Sequence, residues 1–467
     1  MKSCTTLAIF IACGLAWMTS LGCQPESAAP VRDGAQAAPP AATNIPLRVW
    51  IAAPVAEAEL LQRQWLAKSE QPLELRSLTV SELLQEPNCQ CDVLVYPASV
   101  IGELVQRGWI VKLPSVPPRS GEQASDEQED ANAHPAWVAQ ATYADETMGL
   151  PLGCAVPVFV ASSGLTEENS SLSWEEVLSQ LQVAANDSPS FTFDEDDVEA
   201  EALVDRFLAI VASLSNRDPG YGMLFDLQSM QSRLVDPEYL QAAGILAGLA
   251  AQPDGLTSVI GSHSAAWTWS ASSEVPALAI AAPILLDQPA AAITSGQILK
   301  LRPPAQSSQA NATAGATGAS AGPLADRPQV AWWSSSGGLM ASMSSRCRQS
   351  SQAQVCLQWM QSPTTRTIMS TLIPGIEAAT PNSGNEALSW QTQRQLAQQI
   401  KVSALSLEPR LPLANQYRQA LAEELQLFLS GEKNSTTALK DAARRWNETT
   451  RQAGATQRRN YEHSLNL

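Results

Sequence analysis

Residues able to do chemistry are sparse in this chain of 467 residues. The only three histidines are His134, His263 and His463, and they lie far apart in the sequence. A catalytic triad or a histidine-rich metal site has little to be built from. The letters G-x-S-x-G occur at Gly318 to Gly322, centred on Ser320. A nucleophile elbow needs a buried strand before that serine and a helix after it. Here it sits inside an Ala/Gly/Ser-rich stretch, which argues against a hydrolase. Ser430 and Lys433 form an S-x-x-K with no accompanying constellation. The acidic run Asp194, Glu195, Asp196, Asp197, Glu199 and Glu201 lacks the glycine and alternating spacing of a calcium loop. Carboxylates gathered at a helix N-terminus account for it more simply. No glycine loop that could cradle a phosphate follows the first strand. No catalytic residue, metal site or cofactor is expected.

Cysteine and tryptophan are the remaining candidates. Eight cysteines stand at positions 4, 13, 23, 89, 91, 154, 347 and 356. Cys89 and Cys91 form a C-x-C at a strand start; a metal would need two further ligands nearby, and the sequence supplies none. Cys347 and Cys356 are candidates for a disulfide. On one helix they would face opposite ways, so Cys347 is placed in the loop before it. There are 13 Trp against 7 Phe and 6 Tyr. Trp offers a large flat face and one donor, suited to stacking on the apolar face of a ligand such as a sugar ring. Trp267 and Trp269 are two apart, so on a strand they share a face and could form a platform. Packing inside a core is the competing use of every Trp.

The N-terminus points to export. Lys2 precedes an apolar stretch, residues 7–18, and the small residues Ser20 and Gly22 lead to Cys23. That is the layout of a signal peptide over 1–22. Its ending resembles a bacterial lipobox, which makes Cys23 the lipid-attachment residue and residues 23–44, rich in Ala, Pro and Gly, a flexible leash. The expected location is the cell envelope, anchored by lipid and facing the periplasm, with the outer membrane favoured by Gln24. The net charge of -17 and the lack of a basic stripe exclude a nucleic-acid reader. Beyond residue 18 no apolar run approaches the ~20 residues of a membrane span.

The elements that must position any site read as α/β. Residues 47–54 (LRVWIAAP), 73–78 (LELRSL) and 91–97 (CDVLVYP) are strands, with helices expected over 55–69 and 81–85 between them. Ser99 is placed as the cap of a helix to Arg107, ended by Gly108. Strand and helix alternating at this spacing make a parallel sheet. Further helices are expected at 172–181, 199–214, 237–251, 351–361, 383–401, 415–431 and 435–453. Strands are expected at 148–163, 264–272, 275–286 and 330–343, and the low-complexity stretch 303–328 reads as an inserted surface loop.

The order of these pieces resembles the family 1 extracellular solute-binding proteins, the substrate receptors of ATP-binding-cassette (ABC) importers that include maltose-binding types. The carriers are LRVWIAAP, CDVLVYP with ELVQRGWIVKL, GLPLGCAVPVFVASS with SWEEVL, SAAWTWSAS, SSSGGLMASM with SSQAQVCLQWMQSP, and the C-terminal stretch from YRQALAEELQ to RRWNE. The resemblance spans residues 45–455. It implies a two-lobed periplasmic-binding-protein fold with an inter-lobe cleft and hinge crossings near 152–158, 275–284 and 333–339. The first lobe would hold residues 45–153 and 275–334, and the second 154–274 and 335–467 with the C-terminal helices. By position, Trp50, Ala53, Tyr96, Cys154, Trp267, Trp269, Trp332, Trp333 and Gly375 would line the cleft.

The function that follows is capture of a small solute, a sugar or oligosaccharide, for an ABC permease and its ATPase, by a monomer that performs no catalysis. The alternative is an envelope lipoprotein that uses the same fold as a scaffold or as a polysaccharide- or protein-binding module. An enzyme would need a convergent acid–base pair, which the sequence does not present.

Overall fold

The structure, a computed structural model, describes residues 45–113, 135–153, 158–162, 171–176, 178, 200–215, 222–250, 278–281, 296–298, 300–301, 332–334, 338–373, 376 and 405–467. These residues belong to one unit, Asn44–Leu467. In chain order the first elements are β1 (Leu47–Ile51), α1 (Ala58–Ser69), β2 (Leu73–Ser77), α2 (Val80–Gln85), β3 (Val93–Pro97) and α3 (Ile101–Gln106). Then come α4 (Pro135–Ala141), β4 (Thr142–Tyr143), β5 (Glu146–Thr147), β6 (Leu150–Pro151), β7 (Val158–Ser162) and β8 (Ser171–Leu172). Helices α5 (Ala200–Leu214) and α6 (Pro237–Ala250) precede β9 (Leu278–Ala281), β10 (Gly296–Ile298), β11 (Lys300–Leu301), β12 (Trp332–Ser334) and β13 (Leu339–Met343). The described chain closes with α7 (Ser350–Gln361), α8 (Pro363–Leu372), β14 (Leu405–Leu407), α9 (Ala414–Leu429), α10 (Ser435–Ala453) and α11 (Gln457–Ser464).

The main sheet has five strands in the order β2-β1-β3-β13-β6. β1 runs parallel to β2 and β3, and β13 runs antiparallel to both β3 and β6. Side-chain alternation sorts its residues onto two faces. Leu47, Val49 and Ile51 of β1, Val93 and Val95 of β3, and Leu339, Ala341 and Met343 of β13 share one core with Trp65 of α1, Leu357 of α7 and Met369 of α8. Trp50, Leu94, Tyr96 and Met340 point the other way, into a core with Leu83 of α2 and Ile101 and Leu104 of α3. A sheet buried on both faces is why β1 and β3 read as near-continuous apolar runs.

Local signals set the helix ends. Thr79 and Glu82 form a capping box that starts α2. Gly108, at φ 63°, takes the left-handed turn after α3. Pro363 opens α8 at its first turn, where a missing N–H costs nothing. Asn434 accepts a hydrogen bond from the Thr437 N–H at 2.9 Å and so caps α10.

A third core is largely helical. α5, α6, α9 and α10 bury Phe207, Tyr239, Tyr417, Leu421 and Trp446 against Phe225 and Tyr461. Phe225 is stacked on Trp446 at 5.2 Å and meets Tyr417 and Tyr461 edge-on, each at 5.3 Å. Arg418 is paired inside this core with Asp205 at 3.1 Å and Glu408 at 2.6 Å. The smaller sheet β10-β7-β9 is antiparallel throughout.

Two expected boundaries are corrected. Residues 335–467 do not fall together in a second lobe, because β13 lies between β3 and β6 and α7 and α8 pack in the core beneath β1. Nor do the described strands of 275–334 join the main sheet: β9 and β10 both pair with β7, β11 pairs with β8, and β12 pairs with β14. Only β14 and α9 to α11, late in the chain, go with the helical core's side. Of the expected crossing at 275–284, the described residues Leu278–Ala281 pair with β7. The crossings at 152–158 and 333–339 lie between strands of different sheets.

Candidate functional site

In an α/β sheet, ligands gather at the carboxyl ends of the parallel strands, where loops turn into helix starts. At this edge β1 ends in Ala52 and Ala53, β2 in Leu78 and Thr79, and β3 in Pro97 and Ala98. β13 begins there after Gly338, and β6 ends there before Leu152 and Gly153. Backbone bonds close the edge. The Ala52 N–H donates to the Val95 carbonyl at 2.8 Å, the Leu78 N–H to Ile51 at 2.9 Å and the Leu152 N–H to Leu339 at 2.8 Å. The loop after β1 is tied to the end of α8 by the Ala56 N–H on the Leu372 carbonyl at 3.0 Å. Ile373 and Ile376 share a buried cluster with Ala53.

The described floor is thus made of small apolar residues and satisfied backbone. Its polar side chains are mostly occupied. Ser77 Oγ donates to the Ala53 carbonyl at 2.8 Å. Thr79 Oγ1 accepts from the Glu82 N–H at 3.1 Å while the Thr79 N–H donates to the Glu82 carboxylate at 2.7 Å. Those Thr79 bonds lower the Glu82 pKa. Glu57 stands exposed before α1 and makes no capping bond. The starts of α1 and α2 face this edge, so their dipoles favour electron-rich ligand oxygens, whereas α3 continues from a 3-10 turn, Ala98–Val100, whose Ala98 carbonyl takes the Ile101 N–H.

Of the residues expected to line a cleft, Ala53 lies on this edge and is 7 % exposed. Trp50 does not: it is buried against α2 and α3, with the Arg76 guanidinium 4.9 Å over its ring. Tyr96 is wholly buried, and its hydroxyl bonds to Ser342 Oγ at 2.7 Å. Ser342 in turn donates to the Met148 carbonyl at 2.7 Å. Trp50 and Tyr96 point away from any cleft because strand parity puts them on the same face as Leu94. Trp332 and Trp333 belong to β12, opposite Leu405 and Ser406 of β14. Cys154, Trp267, Trp269, Gly375 and Cys23 lie outside the described residues. The described Trp65, Trp109, Trp174, Trp359 and Trp446 are all buried packing residues.

The expected Cys347–Cys356 disulfide is not formed; both are free thiols. Cys347 does precede α7, but Cys356 lies fully buried two turns into it. Six residues of helix carry it about 9 Å from Ser350, past the ~7 Å between Cα atoms that a disulfide spans.

Sequence reasoning missed a junction between the sheet-flanking cores and the helical core. Arg410 is buried, and its guanidinium donates to the carbonyls of Ala139 at 3.0 Å, Gln140 at 2.7 Å, Thr142 and Ser464. Burial without a carboxylate partner lowers its pKa to about 10. Beside it the Tyr143 hydroxyl donates to the Asn460 carbonyl at 3.3 Å, and the Ala144 N–H donates to the His463 carbonyl at 3.0 Å. The signal that could have found it is a lone basic residue bracketed by prolines in an apolar stretch, Leu407 to Leu413.

This architecture, a doubly covered sheet that the chain leaves after β6 and re-enters as β13, is the two-lobed α/β fold of periplasmic solute-binding proteins. The sugar-binding protein MalE of Xanthomonas citri superposes with a TM-score of 0.57 at 12% identity, covering 88% of this chain and 98% of its own. A solute-binding protein of an ABC transporter from Agrobacterium radiobacter K84, in complex with ribitol, gives 0.56 at 12% identity, with 87% and 100% covered. The cyclic alpha-maltosyl-1,6-maltose binding protein of Arthrobacter globiformis gives 0.54 at 13% identity, with 88% and 100% covered. No family model matches the chain, and no curated protein matches it.

Proposed function

We propose that this chain is the solute receptor of an ABC importer. It captures a sugar, polyol or oligosaccharide at the carboxyl edge of the main sheet and hands it to a permease and its ATPase. It acts as a monomer and without catalysis. The single observation that carries the reading is the placement of β13 between β3 and β6. It makes the stretch between β6 and β13 an excursion that leaves and rejoins the sheet at one edge, the connectivity that hinge closure over a ligand requires. The small floor residues Ala53, Ala98 and Gly153 leave room for a ring, and the dipoles at the starts of α1 and α2 favour hydroxyl oxygens. Tryptophans for stacking would come from Trp267, Trp269, Trp332 and Trp333, and further lining from Cys154 and Gly375. The same reading places the protein in the cell envelope, made with a signal peptide over 1–22 and held by a lipid on Cys23.

The test is thermal unfolding of residues 24–467 against monosaccharides, oligosaccharides, polyols, amino acids and polyamines. A ligand at a hundredfold excess over its Kd stabilises by about 2.7 kcal/mol, a resolvable rise in Tm. A shift confined to carbohydrates or polyols is expected. No shift from a folded sample with any member of the panel would overturn the reading. For the anchor, Cys23→Ala is expected to move the protein from the membrane fraction to the soluble one.

A further inference from the structure

The C-x-C of the sequence is not explained by ligand capture, and it lies at the other end of the sheet. Cys89 and Cys91 sit just before β3. Their sulfurs are 3.2 Å apart, and Ser344 Oγ, at the end of β13, is 3.5 Å from Cys89 Sγ. Both side chains are buried, yet their neighbours Pro87, Asn88 and Gln90 are exposed, so they lie under a thin irregular loop. The loop's lower edge is fixed: the Asp92 N–H donates to the Arg48 carbonyl at 2.8 Å and the Ser344 N–H to the Asp92 carbonyl at 3.0 Å.

A metal does not fit this pair. Two thiolates on one tetrahedral zinc ion, at Zn–S ~2.3 Å, stand about 3.8 Å apart. Among the described residues there is also no group of three His, Cys, Asp or Glu side chains that could hold an ion. A bond between the two sulfurs needs an approach of about 1.2 Å from where they stand.

We propose that Cys89 and Cys91 are a reversible dithiol–disulfide site whose co-reactant is a small disulfide. Cys89 is the attacking sulfur. Its thiolate displaces one thiolate from the incoming disulfide and forms a mixed disulfide. Cys91 then gives up its proton and attacks the Cys89 sulfur, releasing the second thiolate. The protein dithiol loses two electrons and two protons, and the small disulfide is reduced to two thiols. The surroundings separate the two roles. The hydrogen bond from Cys91, joined by the one from Ser344, lowers the Cys89 pKa against the opposing effect of burial. Burial, followed by the contact with Cys89, raises that of Cys91. This inference does not rest on the solute-receptor reading.

The experiment uses the full chain, reduced, freed of reductant and exposed to oxidised glutathione at neutral pH. It is then acid-quenched, alkylated in denaturant and peptide-mapped by mass spectrometry. The expected result is a peptide spanning 89–91 that has lost two hydrogens, takes no alkylating agent and regains both sites after dithiothreitol. Cys91→Ser, or Cys91→Ala should the serine variant not fold, is expected to stop at a glutathione adduct on Cys89. Cys89→Ala is expected to leave Cys91 unmodified. Two alkylated cysteines in the treated wild type would overturn the proposal. So would glutathione retained on the wild type, or a bond from either cysteine to Cys347 or another thiol.

Discussion

The carbonyl oxygen of Arg410 occupies the space in which residue 102 would carry a side chain: a Cβ on Gly102 would lie 1.9 Å from it. α3 can press against the 408–412 segment only because it has no side chain there. Gly102→Ala is therefore expected to destabilise by about 3 kcal/mol, the upper end of ordinary overpacking. The urea midpoint measures it, and a variant as stable as the wild type would contradict the contact.

On its side-chain end Arg410 donates to four carbonyls, those of Ala139, Gln140, Thr142 and Ser464. Arg410→Met keeps much of the volume but removes the donor from the buried carbonyls of Gln140 and Ser464 and from the half-buried one of Thr142, at about 1–3 kcal/mol each where water cannot enter. The expected outcome is a loss of at least about 3 kcal/mol. Faster amide exchange around 139–142 and 464 is expected with it, and Arg410→Lys should recover part of the loss.

Tyr96 distinguishes a structural residue from a binding one. Its hydroxyl donates to Ser342 Oγ, whose own proton goes to the Met148 carbonyl. Tyr96→Phe is expected to cost about 1 kcal/mol of stability. Any ligand-induced rise in Tm should persist in full. Loss of that rise would return Tyr96 to the binding surface.

Acid should weaken the fold in part through Asp92. Burial pushes its carboxyl pKa up, but the N–H groups of Arg348 and Arg48 and the Arg48 guanidinium together outweigh burial and hold it low. A carboxyl whose pKa is lower folded than unfolded stabilises fully above the unfolded value, about 3.9. That contribution is lost as pH falls through the folded value. The urea midpoint of the wild type should therefore fall below about pH 4 more steeply than that of Asp92→Asn, which starts lower near neutrality.

The hairpin turn that receives the C-terminal helix is strained. Ala144 and Asp145 have φ of 54° and 59°, as a two-residue turn of this hand demands, in a place where glycine or asparagine is the easier choice. Ala144→Gly should remove part of that strain and stabilise by about 0.5–1 kcal/mol. An equal loss instead would mean that the methyl group packs usefully.

Much of the fold was legible because periodicity reports burial. The alternation through Leu47, Val49 and Ile51 and the stripe Ala438, Leu439, Ala442 and Trp446 gave β1 and α10 their places. What alternation does not carry is which sheet a strand joins, so the expected division into 275–334 and 335–467 misses that β13 lies in the main sheet while β9 and β10 pair with β7. α8 was hidden because Pro363 reads equally as a stop and as a first-turn residue. α11 was hidden because its buried stripe, Gln457, Tyr461 and Ser464, is mostly polar. Trp50 and Tyr96 were placed in the cleft by analogy of position, although their own strands' parity sends them inward. The short polar outline of the site was illegible because the described floor is backbone and small side chains, which leave no sequence signature.

The hydroxyl pair Tyr96–Ser342 joins residues 246 positions apart. A ribosome adding 5–20 residues per second needs about 12–50 s to travel that distance. For that interval β3 exists with an open edge where β13 will lie. The helical core must likewise wait for α9, α10 and α11, which follow β13 in the chain. The sheet's two cores have all their described members once Ile376 is made, whereas the helical core, begun at Trp174, waits for Tyr461. The newborn chain must be kept from pairing the bare edge of β3 with strands of its neighbours until β13 is made.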